Sequence, residues 1–329
     1  MPAILPAACY LLPFFLDTKS GVAHSRQSAM HLDRRSLVLL VILTLAWGIN
    51  WPIMKLGVAH FPAMGFRLLC MAGGVLALGL ALRLRGESLR MPPGQWPSVI
   101  KLAIPNMVIW HLLAICAVKM LSSGRAAILG YTMPIWAVVW GLVLFRERIG
   151  AAAWAGIACA LAGTVLLLSG EIAALAGSPG GTLLMLGAAA GWGYGTQMMK
   201  RSKTELPVGV LTFWMLVVTL PFLLLGTLLF ERGWRLPNAV EWSAIAYNAV
   251  VVFAFCHLVW FMLARRLPPV VSGLSMMFIP VVGVFSGMWM LGEQPHWQDY
   301  TAIVLMFAAL ASVLLAPLLR RWRDGPRAA

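Results

Sequence analysis

Charged residues are scarce in this chain. Lys, Arg, Asp and Glu make up 11% of its 329 residues, whereas hydrophobic residues make up 61%. A soluble domain is closer to half apolar and a quarter charged. The composition therefore excludes an ordinary soluble fold and predicts an all-α integral membrane protein, with the lipid bilayer as its first partner.

Acidic residues are the rarest charged group, and none of the 11 lies in the middle of an apolar run. Carriers driven by protons or sodium commonly use a carboxylate inside the membrane. Two alternatives stay open for this chain: a facilitator or exchanger that follows the substrate gradient, or a proton step that involves histidine.

The sequence also lacks the patterns of other functional classes. No CxxC pair, metal-ligand spacing, nucleophile–base pair or paired carboxylates stand at membrane depth, so we expect no cofactor, no metal and no enzyme activity. The net charge of +14 is distributed over short loops and chain ends, without a basic and aromatic groove, which argues against nucleic acid as a partner. The cysteines are scattered and indicate no disulfide framework: Cys9, Cys70, Cys116, Cys159 and Cys256.

Ten apolar runs of about 18–24 residues are present, the length that crosses a hydrocarbon core of roughly 30 Å. The predicted spans are 36–57, 62–82, 97–118, 124–144, 151–169, 181–199, 207–229, 241–264, 270–291 and 298–317.

The basic residues predict the direction of the bundle. With the N-terminus in the cytoplasm, 18 of the 25 Lys and Arg residues fall on the cytoplasmic side. Only Lys119, Arg125, Arg232 and Arg235 fall outside, and Lys55, Arg67 and Lys101 lie within or at the ends of spans. Because cytoplasmic loops carry the excess of positive charge, both termini are predicted to be cytoplasmic.

The two chain ends lie outside the predicted spans. Residues 1–35 are expected to form a flexible N-terminal extension, and Met30 resembles a natural start, so that the first 29 residues would be dispensable. Residues 318–329 are expected to form a basic cytoplasmic tail.

The chain contains an internal repeat. The stretch WGINWPIMK at residues 47–55 returns as WGYGTQMMK at residues 192–200. Further pairs keep a shift of 145 or 146 residues: Pro62 and Pro207, Trp96 and Trp242, His111 and His257, Pro134 and Pro280, Glu147 and Glu293. The repeats, 36–170 and 181–317, hold five spans each, an odd number, so the halves must be inverted relative to each other, with a site near the midplane.

These motifs resemble a known family. The Trp-Gly-x-Asn run that ends at Lys55, Phe66-Arg67, the Tyr-Thr-Met-Pro run that ends at Pro134, and Glu147 followed by the Trp-x-Gly of residues 154–156 are similar to the EamA-type branch of the drug/metabolite transporter superfamily. The resemblance covers residues 36–317. It implies alternating-access export of amino acids or related metabolites from a bacterial cell across the inner membrane, and aromatic amino acid exporters are among the similar members. Export of another metabolite or a drug is the alternative.

The repeated motif supplies the first candidate binding residues. A polar, glycine-broken stretch in an apolar helix is expensive in lipid unless it lines a wet cavity or is buried in protein. Asn50 offers a donor and an acceptor, while Pro52 is expected to kink the helix; the simpler reading is that Asn50 bonds the backbone that Pro52 frees. The other candidates in the two motifs are Trp47, Trp51, Trp192, Tyr194 and Gln197.

His111 and His257 form the second candidate pair. Each lies about fifteen residues beyond a tryptophan at the span entry, roughly 20 Å into the membrane at 1.5 Å per residue, and the two enter from opposite sides. A neutral imidazole offers one donor and one acceptor to a substrate; hydrogen bonding between packed spans is the alternative. Flat aromatic rings on the same helices would suit an aromatic or apolar substrate: Trp110, Tyr131 and Trp260.

The remaining conspicuous residues have mixed interpretations. Arg67, near the outer end of its span, could snorkel to the surface or attract a substrate carboxylate. Glu147 and Glu293 each precede a helix, where a carboxylate favours the positive end of the dipole. Pro134 and Pro280 are expected to be kinks used in gating. Small residues in span five allow close helix contacts, within a monomer or across a homodimer: Gly156, Ala160 and Gly163.

Overall fold

The computed structural model describes residues 34–147, 150–173, 178–233, 235–260 and 278–323. Within these ranges the chain forms ten helices. Those of the first repeat are α1 (Arg34–Val58), α2 (Ala63–Leu84), α3 (Trp96–Met120), α4 (Ser123–Phe145) and α5 (Ala151–Ala173). Those of the second repeat are α6 (Pro179–Arg201), α7 (Val208–Phe230), α8 (Ala239–Trp260), α9 (Phe278–Leu291) and α10 (Trp297–Arg323).

The helices match the predicted spans. Six of the described helices, α1 to α4, α7 and α8, are both long and apolar enough to cross a membrane, and α9 is a shorter apolar helix. In α6 the apolar character is diluted by the glycines and polar residues of the repeated motif. The first 33 residues lie outside the described residues, as do 270–277 of the ninth predicted span. The last helix continues beyond the predicted end at residue 317 to Arg323.

The packing of the helices follows an inverted repeat. The N-terminal helix α1 packs mainly against α9, and its counterpart α6 packs against α4. Helix α2 packs against α8, as α7 packs against α3, while α2 contacts α7 and α5 contacts α10. Exchanging each helix with the one five places later reproduces the same pairs. The bundle therefore has the pseudo-two-fold arrangement expected of inverted repeats.

Two glycines at corresponding positions allow close approach in two of these contacts. A Cβ on Gly48 of α1 would lie 2.5 Å from Val282 Cβ and 3.2 Å from Ile279 O of α9. A Cβ on Gly193 of α6 would lie 2.7 Å from Trp136 Cβ and 2.9 Å from Met133 O of α4. Both repeated motifs thus lie in continuous helices, and at each motif a helix of one repeat packs closely against a helix of the other repeat.

Small residues in α5 serve a contact within the chain. Gly163 faces α10, where a Cβ would lie 3.4 Å from both Leu305 Cβ and Met306 Cε. Gly156 and Ala160 are buried on the same helix. Gly163 of the small-residue pattern therefore lies in the contact of α5 with α10.

Candidate functional site

The two helices that carry the histidines are both irregular. A π-helical stretch occupies Ile104–Ile109 of α3, and another occupies Tyr247–Cys256 of α8. The two stretches overlap when one repeat is shifted onto the other. π-Helical turns widen a helix locally and occur frequently at functional sites. His111 and His257 follow these stretches closely, so the irregular backbone positions both imidazoles.

The histidines are buried but differ in their partners. His257 is 7% exposed, and its Nδ1 lies 2.7 Å from the carbonyl oxygen of Val252. His111 is 5% exposed, and neither of its ring nitrogens has a hydrogen-bond partner among the described residues. A buried polar group without a partner is expensive. His111 is therefore available to a ligand in a way that a packing histidine is not.

Phe253 connects the two histidines. Its ring centroid lies 5.2 Å from that of His111 and 5.7 Å from that of His257, against which it is stacked. The sequence analysis did not select Phe253, because a phenylalanine in an apolar span has no distinguishing signal. The one sequence feature that relates it to the site is its position four residues, about one helical turn, before His257.

Two groups of aromatic rings flank these residues. In the first group, the ring of Trp47 lies edge to face with that of His257, with the ring centroids 6.1 Å apart. The centroid of Trp47 also lies 6.0 Å from that of Trp260. This group brings together three predicted residues of α1 and α8. In the other, Trp110 meets Trp192 at 5.3 Å, across the two repeats.

Trp51 joins the second group. The rings of Trp51 and Trp110 approach Gly130, within 2.9 and 3.5 Å of where a Cβ would be. Tyr131 is buried next to this glycine and ends the first segment of α4. Trp51 of α1 and Trp110 of α3 therefore meet at Gly130 of α4, Trp110 also contacts Trp192 of α6, and Tyr131 follows Gly130 in the chain.

Asn50 lies on α1 and is buried, with 6% of the residue exposed. Its Oδ1 is buried and has no hydrogen-bond partner among the described residues. Pro52 is buried within α1 and removes one backbone donor from the helix. Because Oδ1 is an acceptor, it cannot bond the carbonyl that Pro52 leaves without a donor, and both interpretations of Asn50 stay predictions.

Arg67 is buried rather than exposed at the membrane surface. Only 3% of it is exposed, so the snorkelling interpretation is wrong. Its Nη1 donates to Asn248 Oδ1 at 3.4 Å and its Nη2 lies 2.7 Å from Met54 Sδ, while Nε has no partner among the described residues. The guanidinium also lies over the Phe253 ring, 5.8 Å from its centroid. Arg67 therefore shares Phe253 with both histidines.

Gln197 and Tyr194 are engaged elsewhere. Gln197 Nε2 donates to Ala137 O at 2.6 Å, and its Oε1 accepts from Arg201, so both ends of the amide are occupied. Tyr194 meets Trp140 edge to face at 6.0 Å. The structure thus places these two residues at the contact of α6 with α4, and in the described part of the chain their hydrogen bonds and ring contacts do not involve the histidines.

Of the two predicted gating prolines, Pro134 lies at a helix irregularity among the described residues. Pro134 stands at the start of the second segment of α4, directly after the interruption at Tyr131 and Thr132. Pro280 is buried near the start of the described part of α9. An interruption in α4 is present as expected, and its use in gating stays a prediction.

Polar side chains tie helix ends together at one face of the bundle. Glu293 accepts from Ser123 N at 2.7 Å and Ser123 Oγ at 2.8 Å, at the N-terminus of α4. Glu231 accepts from Met64 N at 2.8 Å at the N-terminus of α2. Lys55 donates to Leu121 O at 2.6 Å at the end of α3. Carboxylates at helix starts and an ammonium at a helix end match the direction of the helix dipoles.

The interpretation of Glu147 and Glu293 needs a correction. Neither carboxylate is bonded to the helix that follows it among the described residues: Glu293 caps α4, and Glu147 pairs with Lys200 at 3.3 Å and Arg201 at 2.6 Å. The hydrogen bond from Arg201 lowers the pKa of Glu147 from its ordinary value. Dipole arguments from sequence consider only the adjacent helix, whereas these partners come from distant parts of the chain.

The comparisons with known proteins agree with this architecture. The sequence profile of the EamA-like transporter family matches residues 34–169 and 179–315, one match for each repeat. The chain belongs to this family. It is a multi-pass membrane protein whose relatives are transporters. It is 25% identical over 261 residues to the uncharacterized transporter YoaV of Bacillus subtilis, covering 78% of this chain and 88% of YoaV.

Other relatives cover similar shares. The chain is 27% identical to the uncharacterized inner membrane transporter YedA of Escherichia coli K12, over 84% of this chain and 89% of YedA. It is 25% identical to a probable amino-acid metabolite efflux pump of Salmonella typhimurium, over 85% of this chain and 94% of the pump. A protein of solved crystal structure shares the fold with a TM-score of 0.63 at 23% identity, over 87% of this chain and 99% of that protein.

Proposed function

We propose that this EamA-family transporter exports amino acids, aromatic or large apolar ones, from a bacterial cell across the inner membrane by alternating access. The observation that carries the proposal is the set of buried, unpartnered polar atoms between the repeats, Asn50 Oδ1 and both ring nitrogens of His111, beside tryptophan rings. Such atoms are costly in an apolar interior unless a ligand or water satisfies them.

The chemistry of the site fits a zwitterion with a flat side chain. Asn50 Oδ1 accepts a hydrogen bond from an ammonium group, and His111 offers one donor and one acceptor in its neutral form. The rings of Trp51, Trp110 and Trp192 offer faces and edges for an aromatic side chain. Trp47, His257 and Trp260 form the other wall of the site.

The relatives support the substrate class as well as the direction. Two of them, from Salmonella typhimurium and Escherichia coli, carry the name probable amino-acid metabolite efflux pump. The lack of a carboxylate in the middle of any predicted span favours a facilitated or exchange step. The runner-up is a proton step that uses His111.

Uptake into proteoliposomes that contain the purified full-length protein tests the proposal. Labelled Trp, Phe, Leu and Thr and a cationic dye are offered in parallel to the native protein and to His111→Ala. We expect the aromatic amino acids to move and the variant to be slow. Movement of the dye alone would overturn the amino-acid assignment. A proton flux stoichiometric with substrate would replace the facilitated mechanism by the histidine-linked one.

A further inference from the structure

We propose that Arg67 is the carboxylate-binding residue of the transport site, so that the substrate must carry a carboxylate that pairs with this guanidinium. This inference deepens the proposed function and rests on it for the identity of the rest of the substrate. Three features of Arg67 support this inference: it is buried, its partners are neutral, and it lies beside His111.

Burial makes the charge of Arg67 expensive. Arg keeps its proton in proteins, so the guanidinium at 3% exposure is a cation inside the bundle. An ionisable residue within a membrane span is usually paired or functional. Leaving such a charge without a counter-ion is strongly destabilising. A compensating anion is therefore expected in at least one step of the transport cycle.

The partners of Arg67 within the protein are all neutral. They are the amide oxygen of Asn248, the thioether of Met54 and the ring of Phe253. The Asn248 bond is long at 3.4 Å, a thioether is a weak acceptor, and Nε has no partner among the described residues. These contacts orient the guanidinium but leave its charge uncompensated.

The carboxylates at the ends of α7, α8 and α9 on the same face of the bundle as the start of α2 are bonded to other groups. Glu231 accepts from the backbone of Met64 and Gly65, and Glu241 is paired with Arg235. Glu293 caps the N-terminus of α4. In the part of the chain that the structure describes, no carboxylate lies within ion-pairing distance of Arg67.

The charge is present in only one repeat. The residue that corresponds to Arg67 in α7 is Thr212, which is buried and whose hydroxyl donates to Val208 O of its own helix at 2.8 Å. If Arg67 served only to pack α2 against the bundle, the pseudo-symmetric position would not require so different a residue. A single cation, present in one repeat and not in the other, instead fits a small substrate with a charged group at one end.

The surroundings link Arg67 to the proposed binding residues. Met54, which touches Nη2, is one turn after Asn50 on α1, so the two side chains share a face. On the other side, Phe253 contacts both Arg67 and His111. A carboxylate bound by Arg67 would therefore have Asn50 and His111 as its neighbours, within reach of an α-amino group.

The chemistry of one guanidinium favours a carboxylate. Its planar fork forms two parallel hydrogen bonds with a carboxylate, a geometry that a lone Nε and one Nη can supply. A di- or triphosphate would call for several central cations. We therefore infer a monocarboxylate as the group that Arg67 binds.

The position of Asn248 gives a specific test. Asn248→Asp places a carboxylate where an oxygen already lies 3.4 Å from Arg67 Nη1, and this internal anion competes with the substrate. Asn248→Leu keeps the number of side-chain heavy atoms and the branching at Cγ and also loses the Asn248 bond to Ala244 O, but it adds no charge. Arg67→Gln removes the cation, and Arg67→Lys keeps the charge but not the planar fork. Thr212→Val is the control for substitution at the corresponding position of the other repeat.

The assay is uptake into proteoliposomes of three matched compounds: labelled Trp, its amide, and tryptamine, which lacks the carboxylate. We expect the native protein and Thr212→Val to prefer Trp over the other two. Arg67→Gln and Asn248→Asp should lower Trp uptake about 10- to 100-fold, the range for a charge-assisted hydrogen bond. Asn248→Leu and Arg67→Lys should lose less than these two variants. Where a purified variant has the same melting temperature as the native protein, its loss of uptake does not come from unfolding.

The outcomes separate this proposal from the proposed function. If the native protein moves Trp, its amide and tryptamine equally, and Arg67→Gln does the same, transport stands and the carboxylate assignment is overturned. If the native protein moves no amino acid, the amino-acid assignment fails. In that case indole-3-acetate and benzoate are measured by quenching of tryptophan fluorescence. Binding that is lost in Arg67→Gln and Asn248→Asp would support the carboxylate site, and binding unaffected by them would overturn it.

Discussion

His257 Nδ1 lies 2.7 Å from the carbonyl oxygen of Val252, five residues earlier in the π-helical part of α8. His111 occupies the corresponding place in α3 but has no partner among the described residues for either ring nitrogen. Two histidines that look equivalent in the sequence therefore have different environments. One is tied to its own helix, and the other is available.

This difference predicts opposite effects of the same substitution. His257→Leu should lower stability by about 1 kcal/mol, because it removes a buried hydrogen bond and leaves Val252 O without it. His111→Leu removes unpartnered polar atoms, so stability should be unchanged or higher, while uptake of substrate should fall at least tenfold. Thermal unfolding in detergent and proteoliposome uptake measure the two effects. Equal losses of stability in both variants would show that His111 is a packing residue.

Much of this architecture could be predicted from the sequence, because its signals are periodic and repeated. The spans follow from apolar length, and the match of residues 47–55 to 192–200 indicates the inverted halves. The histidine pair follows from the rarity of ionisable residues in spans. Each of these inferences needs only local patterns and the shift between the repeats.

What the sequence missed depends on contacts between distant segments. Arg67 stands near the start of α2, where snorkelling is a reasonable expectation, and the packing of α2 against α1 and α8 buries it beside Met54 and Phe253. Phe253 itself has no polar signal. Glu293 caps a helix that begins at Ser123, 170 residues earlier in the chain, and rules based on the adjacent helix cannot identify such a partner.

The two close helix contacts predict different responses to a rescue experiment. Gly48→Ala should destabilise the protein by about 1–3 kcal/mol, because its Cβ would overlap Val282. Val282→Gly removes both obstructing side-chain atoms, so the double variant should recover part of the loss. Gly193→Ala meets Ala137 N at 2.7 Å and Met133 O at 2.9 Å, and Trp136→Gly cannot move these backbone atoms. Thermal unfolding should therefore show rescue in α1 but none in α6.

If both double variants recovered stability equally, the contact of α6 with α4 would depend on side chains alone. If neither double variant recovered stability, the glycine introduced at position 282 of α9 would cost as much stability as relief of the overlap restores. A glycine in a helix interior costs about 1 kcal/mol, so the single Val282→Gly variant provides the correction for the first double variant and Trp136→Gly provides it for the second.

The corresponding glutamates predict unequal contributions to stability. Glu293→Gln should cost about 1–2 kcal/mol, because the carboxylate accepts hydrogen bonds from the backbone and hydroxyl of Ser123 at a helix start. Glu147→Gln should cost about 0–1 kcal/mol, since its side chain is 33% exposed and its ion pairs are screened by solvent. Thermal unfolding at neutral pH compares the two variants.

The pH dependence of Glu147 gives an internal check. Because the hydrogen bond from Arg201 lowers the pKa of Glu147, its contribution is present above the ordinary carboxyl pKa and is lost as the pH falls through the lowered value. The difference between native protein and Glu147→Gln should therefore shrink on acidification. A difference that grew at acidic pH would contradict this assignment of the ion pair.

The direction of the bundle in the membrane can be tested at two loops. The excess of Lys and Arg predicts that the α2–α3 connection is cytoplasmic and that the α7–α8 connection faces the outside. Ser88 and Leu236 are exposed in these two connections, and Leu236 is 85% exposed. In a chain whose five native cysteines are replaced by alanine, a membrane-impermeant maleimide added to intact spheroplasts should label Leu236→Cys but label Ser88→Cys only after lysis. Uptake by the cysteine-free chain serves as the control for its fold. Labelling of Ser88→Cys alone before lysis would invert the bundle and place the face held by Glu231 and Glu293 in the cytoplasm.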